Sequence, residues 1–251
     1  MTDARQLDLP LWKDYVKSLT VEPLFVTVSG AHLYGFPSPD SDVDLRACHQ
    51  LPLDQIVGLS LPNQTFEHSS VYANLEVDIV SHDIGKYFGL LVKNNGYVLE
   101  QIFSPFVVTG KDFLDQLRPI ARRCITRFHY YHYRGFYQTQ RKLIDKQAAK
   151  TAKAILYAYR VLLTGIHLLR TGEVEANLLR LADEYGNREV HELILQKTSE
   201  KISPAELNWE LHSQQLDSLE STLDAAFQGS QLSEQRDLQE VNRFLVDLRL
   251  A

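Results

Sequence analysis

The chain has 251 residues, and its 44% hydrophobic, 23% charged and 10% aromatic content excludes wholesale disorder and fibrous architecture. A formal net charge of −6 excludes a generally basic nucleic-acid coat, while leaving room for a local basic groove. Two cysteines, Cys48 and Cys124, are too few for a disulfide framework or a four-cysteine zinc site. The start MTDARQLDLPLWKDY has no signal-peptide core, and no run approaches the ~20 apolar residues of a membrane span, so a reducing cytoplasm and no membrane partner are expected. In chain order, Leu24 to Val28 reads as a β-branched strand, followed by the Gly- and Pro-punctuated connection SGAHLYGFPSP. Val43 to Ala47 is a second short strand and Leu75 to Val80 a third; Ile84 to Leu91 reads as a helix, and NNGYVLEQIFSP as a turn and a short helix. From about Lys111 the period is helical. Lys142 to Arg170 holds no proline and ends in the helix stop Thr171-Gly172. Ser203-Pro204-Ala205-Glu206 is a capping box with proline at the first helical position. Beyond it, Leu207, Leu211, Leu216, Leu219 and Leu223 form an apolar stripe that Gly229 ends, and Leu238, Val241, Leu245 and Leu248 mark a last helix. The fold class expected is α+β: a small mixed sheet with flanking helices over 1–115, then an all-helical half over 116–251.

The chemistry concentrates in Val28-Ser29-Gly30-Ala31-His32 and the stretch that follows it to Ser41-Asp42-Val43-Asp44-Leu45-Arg46. On extended backbone Asp42 and Asp44 project from one face, where two carboxylates repel each other unless a cation lies between them. Hard oxygen donors with an open side suit Mg²⁺, which keeps waters and phosphate oxygens in its shell. Val43 and Leu45 point the other way, to a core. Gly30 lets the backbone approach a phosphate closely and opens a short helix whose N-terminus favours anions. The strand Leu75–Val80 supplies a third acid. Glu76 and Asp78 share a face; Asp78, between Val77 and Ile79, is the better choice and Glu76 the reserve. An isolated Asp-x-Asp is usually a turn or a solvated face; the strand, glycine turn, Asp-x-Asp strand and acid-bearing apolar strand together are far more specific.

These residues resemble the signature of the DNA polymerase β-like nucleotidyltransferases: Gly-Ser, then Asp-x-Asp, then a distant Asp. SGAHLYGFPSPDSDVDLR, DIVSHDIGKYFGLL, NNGYVLEQIFSP and KAILYAYRVLLTGIHLLRTGEV resemble the nucleotidyltransferase group associated with RNA repair, over most of residues 24–180. The resemblance implies metal ligands and catalytic acids at Asp42, Asp44 and Asp78 and a phosphate turn at Ser29 and Gly30. It implies Mg²⁺ or Mn²⁺ as cofactor and a nucleoside triphosphate, ATP among the candidates, as substrate. The acceptor stays open among an RNA end, another protein and a small molecule. Ala31 stands where the superfamily usually has Ser, so one hydroxyl contact to the phosphates is lost or is replaced by Ser29 or His32.

Further signals have two readings each. The base- and aromatic-rich stretch from Arg122 to Tyr137 is either a groove that stacks bases or a packing helix. Within it His129 and His132 read as ordinary hydrogen-bonded histidines. Lys146, Lys150, Lys153, Tyr157 and Arg160 advance by four, three, four and three and fall on one helical stripe. Such a run is usually a solvated face, and the resemblance favours Lys150, Lys153, Tyr157 and Arg160 as triphosphate ligands. Arg46, on the face of Asp44, either orients the carboxylates and touches phosphate or forms a structural ion pair. Asn95, Gly96 and Glu100 read as a turn and helix cap, and the two cysteines as small core residues. The competing function is a nucleotide-binding regulatory or antitoxin-like module on the same fold with little catalysis.

Overall fold

The computed structural model describes residues 7–39, 41–199 and 207–251. The helix α1 (Leu9–Lys17) starts where the Asp8 side chain accepts the Leu11 amide and a proline occupies its first turn; Trp12, Tyr15 and Val16, spaced three and four apart, form its buried stripe. The strands β1 (Pro23–Val28), β2 (Val43–His49), β3 (Thr65–Tyr72), β4 (Leu75–Asp83) and β5 (Val107–Thr109) form one mixed sheet in the order β3-β4-β2-β1-β5. Only β2 and β4 run parallel; the other neighbours are antiparallel. Burial alternates along β2 and β4 as the residue pattern predicts. Val43, Leu45, Val77 and Ile79 join Val26, Val28 and the α1 stripe in one core. On the opposite face Phe25 meets Tyr87 and Phe113 at 5.5 and 6.0 Å between ring centres. These two rings come from α4 (Ile84–Leu91) and α6 (Lys111–Arg122). The short helices α2 (Gly30–Tyr34), α3 (Leu53–Ile56) and α5 (Gly96–Ile102) complete the α/β part.

The helical part comprises α7 (His129–Lys146), α8 (Ala152–Thr171), α9 (Leu178–Tyr185), α10 (Glu189–Ser199) and α11 (Trp209–Gly229); α12 (Leu238–Leu250) is the last helix. Thirteen of the twenty residues of α8 are buried. Its length and composition would let it cross a membrane, contrary to the expectation that no segment is long and apolar enough, but 72% of that stretch lies buried inside the protein, as a core helix does. Gly172 ends α8 in the left-handed conformation expected of a helix stop. The capping box at 203–206 lies outside the described residues, and α11 is capped by Asn208.

Among the described residues the chain forms two compact units, one from 7–33, 41–125 and 235–251, the other from 34–39, 126–199 and 207–234. The expected division at 115/116 places α12 in the helical half; in the structure α12 counts with the sheet unit. Its Phe244 stacks on Phe88 at 5.9 Å. Its Arg249 pairs with Asp83 and donates to the Leu51 carbonyl at 2.9 Å. Asp83 is fully buried and also accepts the Leu51 and Gly85 amides at 3.0 and 2.9 Å. Burial pushes this carboxyl up, but the bonds from Arg249 and the two amides outweigh it and hold it below the usual carboxylate value.

Arg249→Ala leaves that charge buried beside two amides alone, and should cost about 3–5 kcal/mol in urea unfolding. A carboxyl whose folded value is depressed contributes stability that is complete above its unfolded value and is lost as pH falls through the folded one. The stability gap between the wild type and Arg249→Ala should therefore be widest near neutral pH and narrow as pH falls through the acid range. A gap independent of pH would remove Asp83 from that role.

Candidate active site

The site begins where β1 ends. Ser29 donates its amide to the Asp44 carbonyl at 2.8 Å, tying the start of the turn to the acidic strand. Gly30 follows with φ +60° and opens α2. A Cβ on Gly30 would stand 1.8 Å from Asp44 Oδ2, so the Asp44 carboxylate lies in the space that any other residue would fill. Arg46, two residues on and on the same face, donates Nη2 to Asp44 Oδ1 at 2.9 Å and Nη1 to the Leu45 carbonyl at 2.8 Å. Arg46 and Asp44 are 27% and 28% exposed, so the pair is partly screened by water.

The third acid comes from the parallel ladder, in which Asp44 stands opposite Asp78. Adjacent strands lie about 4.8 Å apart, so two carboxylates from one face are near neighbours. Glu76 is exposed and pairs with Val71 of the outer strand β3. Asp42 is exposed and stands just before β2, outside the regular strand on which shared orientation with Asp44 was expected. Among the described residues no group of three or more His, Cys, Asp or Glu side chains gathers as a metal cage. Two donors suit a hard divalent cation: Asp44, held open against a glycine, and Asp78, its ladder partner; Asp42 stands just before the strand.

The expected stripe from Lys146 to Arg160 does not exist as one helix face. The chain breaks between α7 and α8, where Gln147 turns extended and the Thr151 side chain caps α8 by accepting the Ala154 amide. Local capping here outweighs continued helical periodicity. Lys150 lies in this connection; its Nζ donates to the Asp145 and Gln147 carbonyls at 3.1 and 2.7 Å and sits 5.7 Å from the Trp209 ring. Lys153 is exposed in the first turn of α8. Tyr157 meets the Tyr34 and Phe36 rings edge-on at 5.8 and 5.6 Å. Arg160 is 1% exposed, with its guanidinium 4.1 Å from the Tyr34 ring centre. These four belong to the helical unit, and Ser29, Gly30, Asp42, Asp44, Arg46 and Asp78 to the sheet unit.

In the aromatic stretch, packing explains the residues of the helical unit. Tyr130 stacks on Phe227 at 4.3 Å and donates to Asp224 at 2.7 Å. Arg134 and Arg141 pair with Asp224 and Asp217 of α11 at 3.3 and 2.9 Å. His129 is buried with Nδ1 3.0 Å from the Thr126 carbonyl. Burial, and then the electrostatic influence of the neighbouring His129 and Arg160, push His132 down to about 4. Asn95 caps α5 as expected by accepting the Tyr97 and Val98 amides, whereas Glu100 is buried within that helix rather than part of its cap. Both cysteines are buried, and burial pushes the Cys124 thiol up to about 11.

A glycine turn, an acidic strand seated on it and a second acid beside that strand define the core of a nucleotidyltransferase. The family model of the RNA repair pathway DNA polymerase beta family matches residues 11–247, and the chain belongs to that family. An uncharacterized protein of Methanocaldococcus jannaschii is 32% identical over 155 residues, which are 62% of this chain and 63% of the relative. Among solved structures, a nucleotidyltransferase-like protein from Exiguobacterium sibiricum is similar at a TM-score of 0.31 and 12% identity, over 95% of this chain and 77% of that one.

Proposed function

We propose that the protein is a Mg²⁺-dependent nucleotidyltransferase that moves a nucleoside monophosphate from a nucleoside triphosphate to a hydroxyl acceptor, with ATP as the donor and an RNA end as the acceptor to test first. The observation that carries this reading is the Asp44 carboxylate seated on Gly30 with Asp78 as its ladder partner. The turn at Ser29 and Gly30 brings backbone amides close enough to bind phosphate oxygens. Arg46 already neutralises Asp44 and lies where it can share a phosphate charge. Asp42, Asp44 and Asp78 would hold the divalent cation, which when bound polarises the α-phosphorus and lowers the pKa of an attacking hydroxyl. The protein's own contribution is positioning: the acceptor oxygen attacks the α-phosphorus in line, and the pyrophosphate bond breaks on the opposite side. Lys150 and Arg160 are engaged by neighbours of their own helical unit.

The test is incubation with each α-labelled triphosphate, Mg²⁺ or Mn²⁺, and a pool of RNA. Label is expected on RNA. The double variant Asp42→Asn with Asp44→Asn should lose transfer while the fold persists, with thermal stability in chelator unchanged or raised because repelling carboxylates are neutralised. Full transfer by the double variant would remove the acids from the reaction.

A further inference from the structure

The sheet face that carries Asp44 and Asp78 continues past them as a grid set by two ladders. Along the parallel ladder Arg46 stands opposite Val80. Along the antiparallel one Ser69 stands opposite Asp78, Glu67 opposite Val80 and Thr65 opposite His82. Alternation puts these side chains on the face of the two acids, in rows about 7 Å apart. Val80 and His82 are half-buried, and Glu67 and Ser69 exposed, so the face is open over β4 and β3. At its far end Lys86, in the first turn of α4, donates Nζ to the Thr65 hydroxyl. An ammonium only donates, so this bond occupies a lone pair of Thr65 Oγ1 and leaves the hydroxyl proton for His82 Nδ1, 3.1 Å away. His82 therefore accepts at Nδ1 and carries its proton on Nε2, and among the described residues nothing accepts from that Nε2–H. Burial first, then the Lys86 cation, push His82 below its ordinary value against a smaller opposing pull from Glu67, which keeps the ring neutral.

We propose that this face is the acceptor subsite, and that Lys86 and His82 hold a phosphate of a nucleic-acid strand whose terminal hydroxyl lies at Asp78. The inference deepens the nucleotidyltransferase reading above and rests on it. The order of the strands divides the two substrates. The turn at Ser29 and Gly30 follows β1, on one side of β2, while β4 and β3 lie on the other. A triphosphate bound by that turn and by Asp44 leaves the side of Asp78 and His82 to the molecule that attacks. The groups waiting there donate: the Lys86 ammonium has two N–H bonds beyond the one to Thr65, and His82 has its Nε2–H. A cation and a neutral donor side by side fit a phosphate oxygen, which only accepts. Glu67, exposed on the outer strand, is the acid of these rows and opposes that phosphate. His82 lies four residues beyond Asp78 on β4, about 13 Å along an extended strand. A small alcohol with its hydroxyl at Asp78 does not span that distance, and a protein side chain brings no phosphate to it; a chain of nucleotides does both.

The experiment measures binding of an RNA oligonucleotide at several salt concentrations, KM for the same RNA as acceptor, triphosphate affinity by calorimetric titration in Mg²⁺, and thermal unfolding. It compares the wild type with Lys86→Met, Lys86→Arg, His82→Phe, His82→Gln and Glu67→Gln. Lys86→Met is expected to weaken RNA binding about tenfold, to lower the slope of log affinity against log salt by about 0.7, and to spare triphosphate affinity. Lys86→Arg should restore most of the slope. His82→Phe should raise KM for RNA severalfold, and His82→Gln, which places an amide N–H near Nε2, should recover part of it. Glu67→Gln should strengthen RNA binding, a gain that packing alone does not produce. A merely structural cluster would shift the melting temperature and leave RNA affinity and its salt slope alone. Unchanged RNA affinity in a folded Lys86→Met overturns the inference and leaves the functional reading standing, as does wild-type transfer to a protein or a small alcohol but not to RNA. Absence of triphosphate binding in the wild type overturns the functional reading, and the inference with it. Should Lys86→Met not fold, the exposed Glu67→Gln decides, since wild-type RNA affinity there would overturn the inference.

Discussion

Gly30→Ala is expected to remove nucleotidyl transfer while the sheet and the helical unit remain folded. Two costs meet at this position. With φ at +60°, an L-residue is in the left-handed region, at about 1–2 kcal/mol. The new Cβ would also lie 1.8, 2.6 and 2.9 Å from Oδ2, Cγ and Cβ of Asp44. Three atoms of one side chain must move together, and Asp44 cannot swing away without leaving Arg46. A shift of about 1 Å at a reacting centre costs on the order of a hundredfold in rate, so the loss falls on transfer more than on folding. Gly172 is the control. It has φ +75°, but its nearest neighbour is the tip of Leu232 at 3.3 Å. Gly172→Ala should lower the melting temperature by a similar backbone penalty and leave turnover alone. Transfer with the α-labelled triphosphate and thermal unfolding separate the two. Wild-type turnover in Gly30→Ala would mean that the seat of Asp44 on the turn is not what the chemistry needs.

What the sequence discloses about this molecule follows the range of the interaction involved. β2 and β4 are legible because apolar residues alternate with polar ones on a half-buried surface, and burial follows that alternation; β1 is legible as a largely apolar run, buried from Phe25 to Val28. β3 is not, because TFEHSSVY is an edge strand with little apolar signal. Its hairpin turns at Ala73-Asn74, both at positive φ without a glycine to announce it. α1 leaves a readable trace, Asp8 before a proline-bearing first turn, which composition-level reading passes over. The basic stripe misleads because periodicity survives a helix break that Thr151 makes by capping. The contacts that hold residues 34–39 and fix α12 are invisible locally. Lys197 reaches Phe36 across 161 positions and Arg249 reaches Asp83 across 166. The acids of the site were legible one by one; the parallel register that sets Asp78 opposite Asp44 was not, because spacing along one strand says nothing of its neighbour.

That register also decides between Asp78 and Glu76, and the expected result is a large asymmetry. Both side chains point to the same face of β4, so alternation cannot choose. Asp78 stands between buried Val77 and Ile79, opposite Asp44 on one side and Ser69 on the other, and is itself half-buried. Glu76 is exposed, next to the Ala73-Asn74 turn, with Val71 of the edge strand opposite it. A short carboxylate held by two neighbouring strands keeps a fixed position, whereas a longer one in water loses that position to its own rotamers. As one of the acids that would hold the divalent cation, Asp78 would serve the activation of the incoming hydroxyl more than the binding of the triphosphate. Asp78→Ala should therefore keep triphosphate binding by titration and lose turnover by several orders of magnitude, each factor of ten being 1.36 kcal/mol of barrier. Glu76→Ala should change turnover by less than about tenfold, and its stability by no more than about 0.5 kcal/mol, as an exposed substitution does. The conservative Asp78→Asn separates charge from packing, since it keeps the volume between Val77 and Ile79 and should lose turnover as Asp78→Ala does. A rate loss in Glu76→Ala equal to that of Asp78→Ala would place Glu76 in the site and remove the ladder partner of Asp44 from its assigned role.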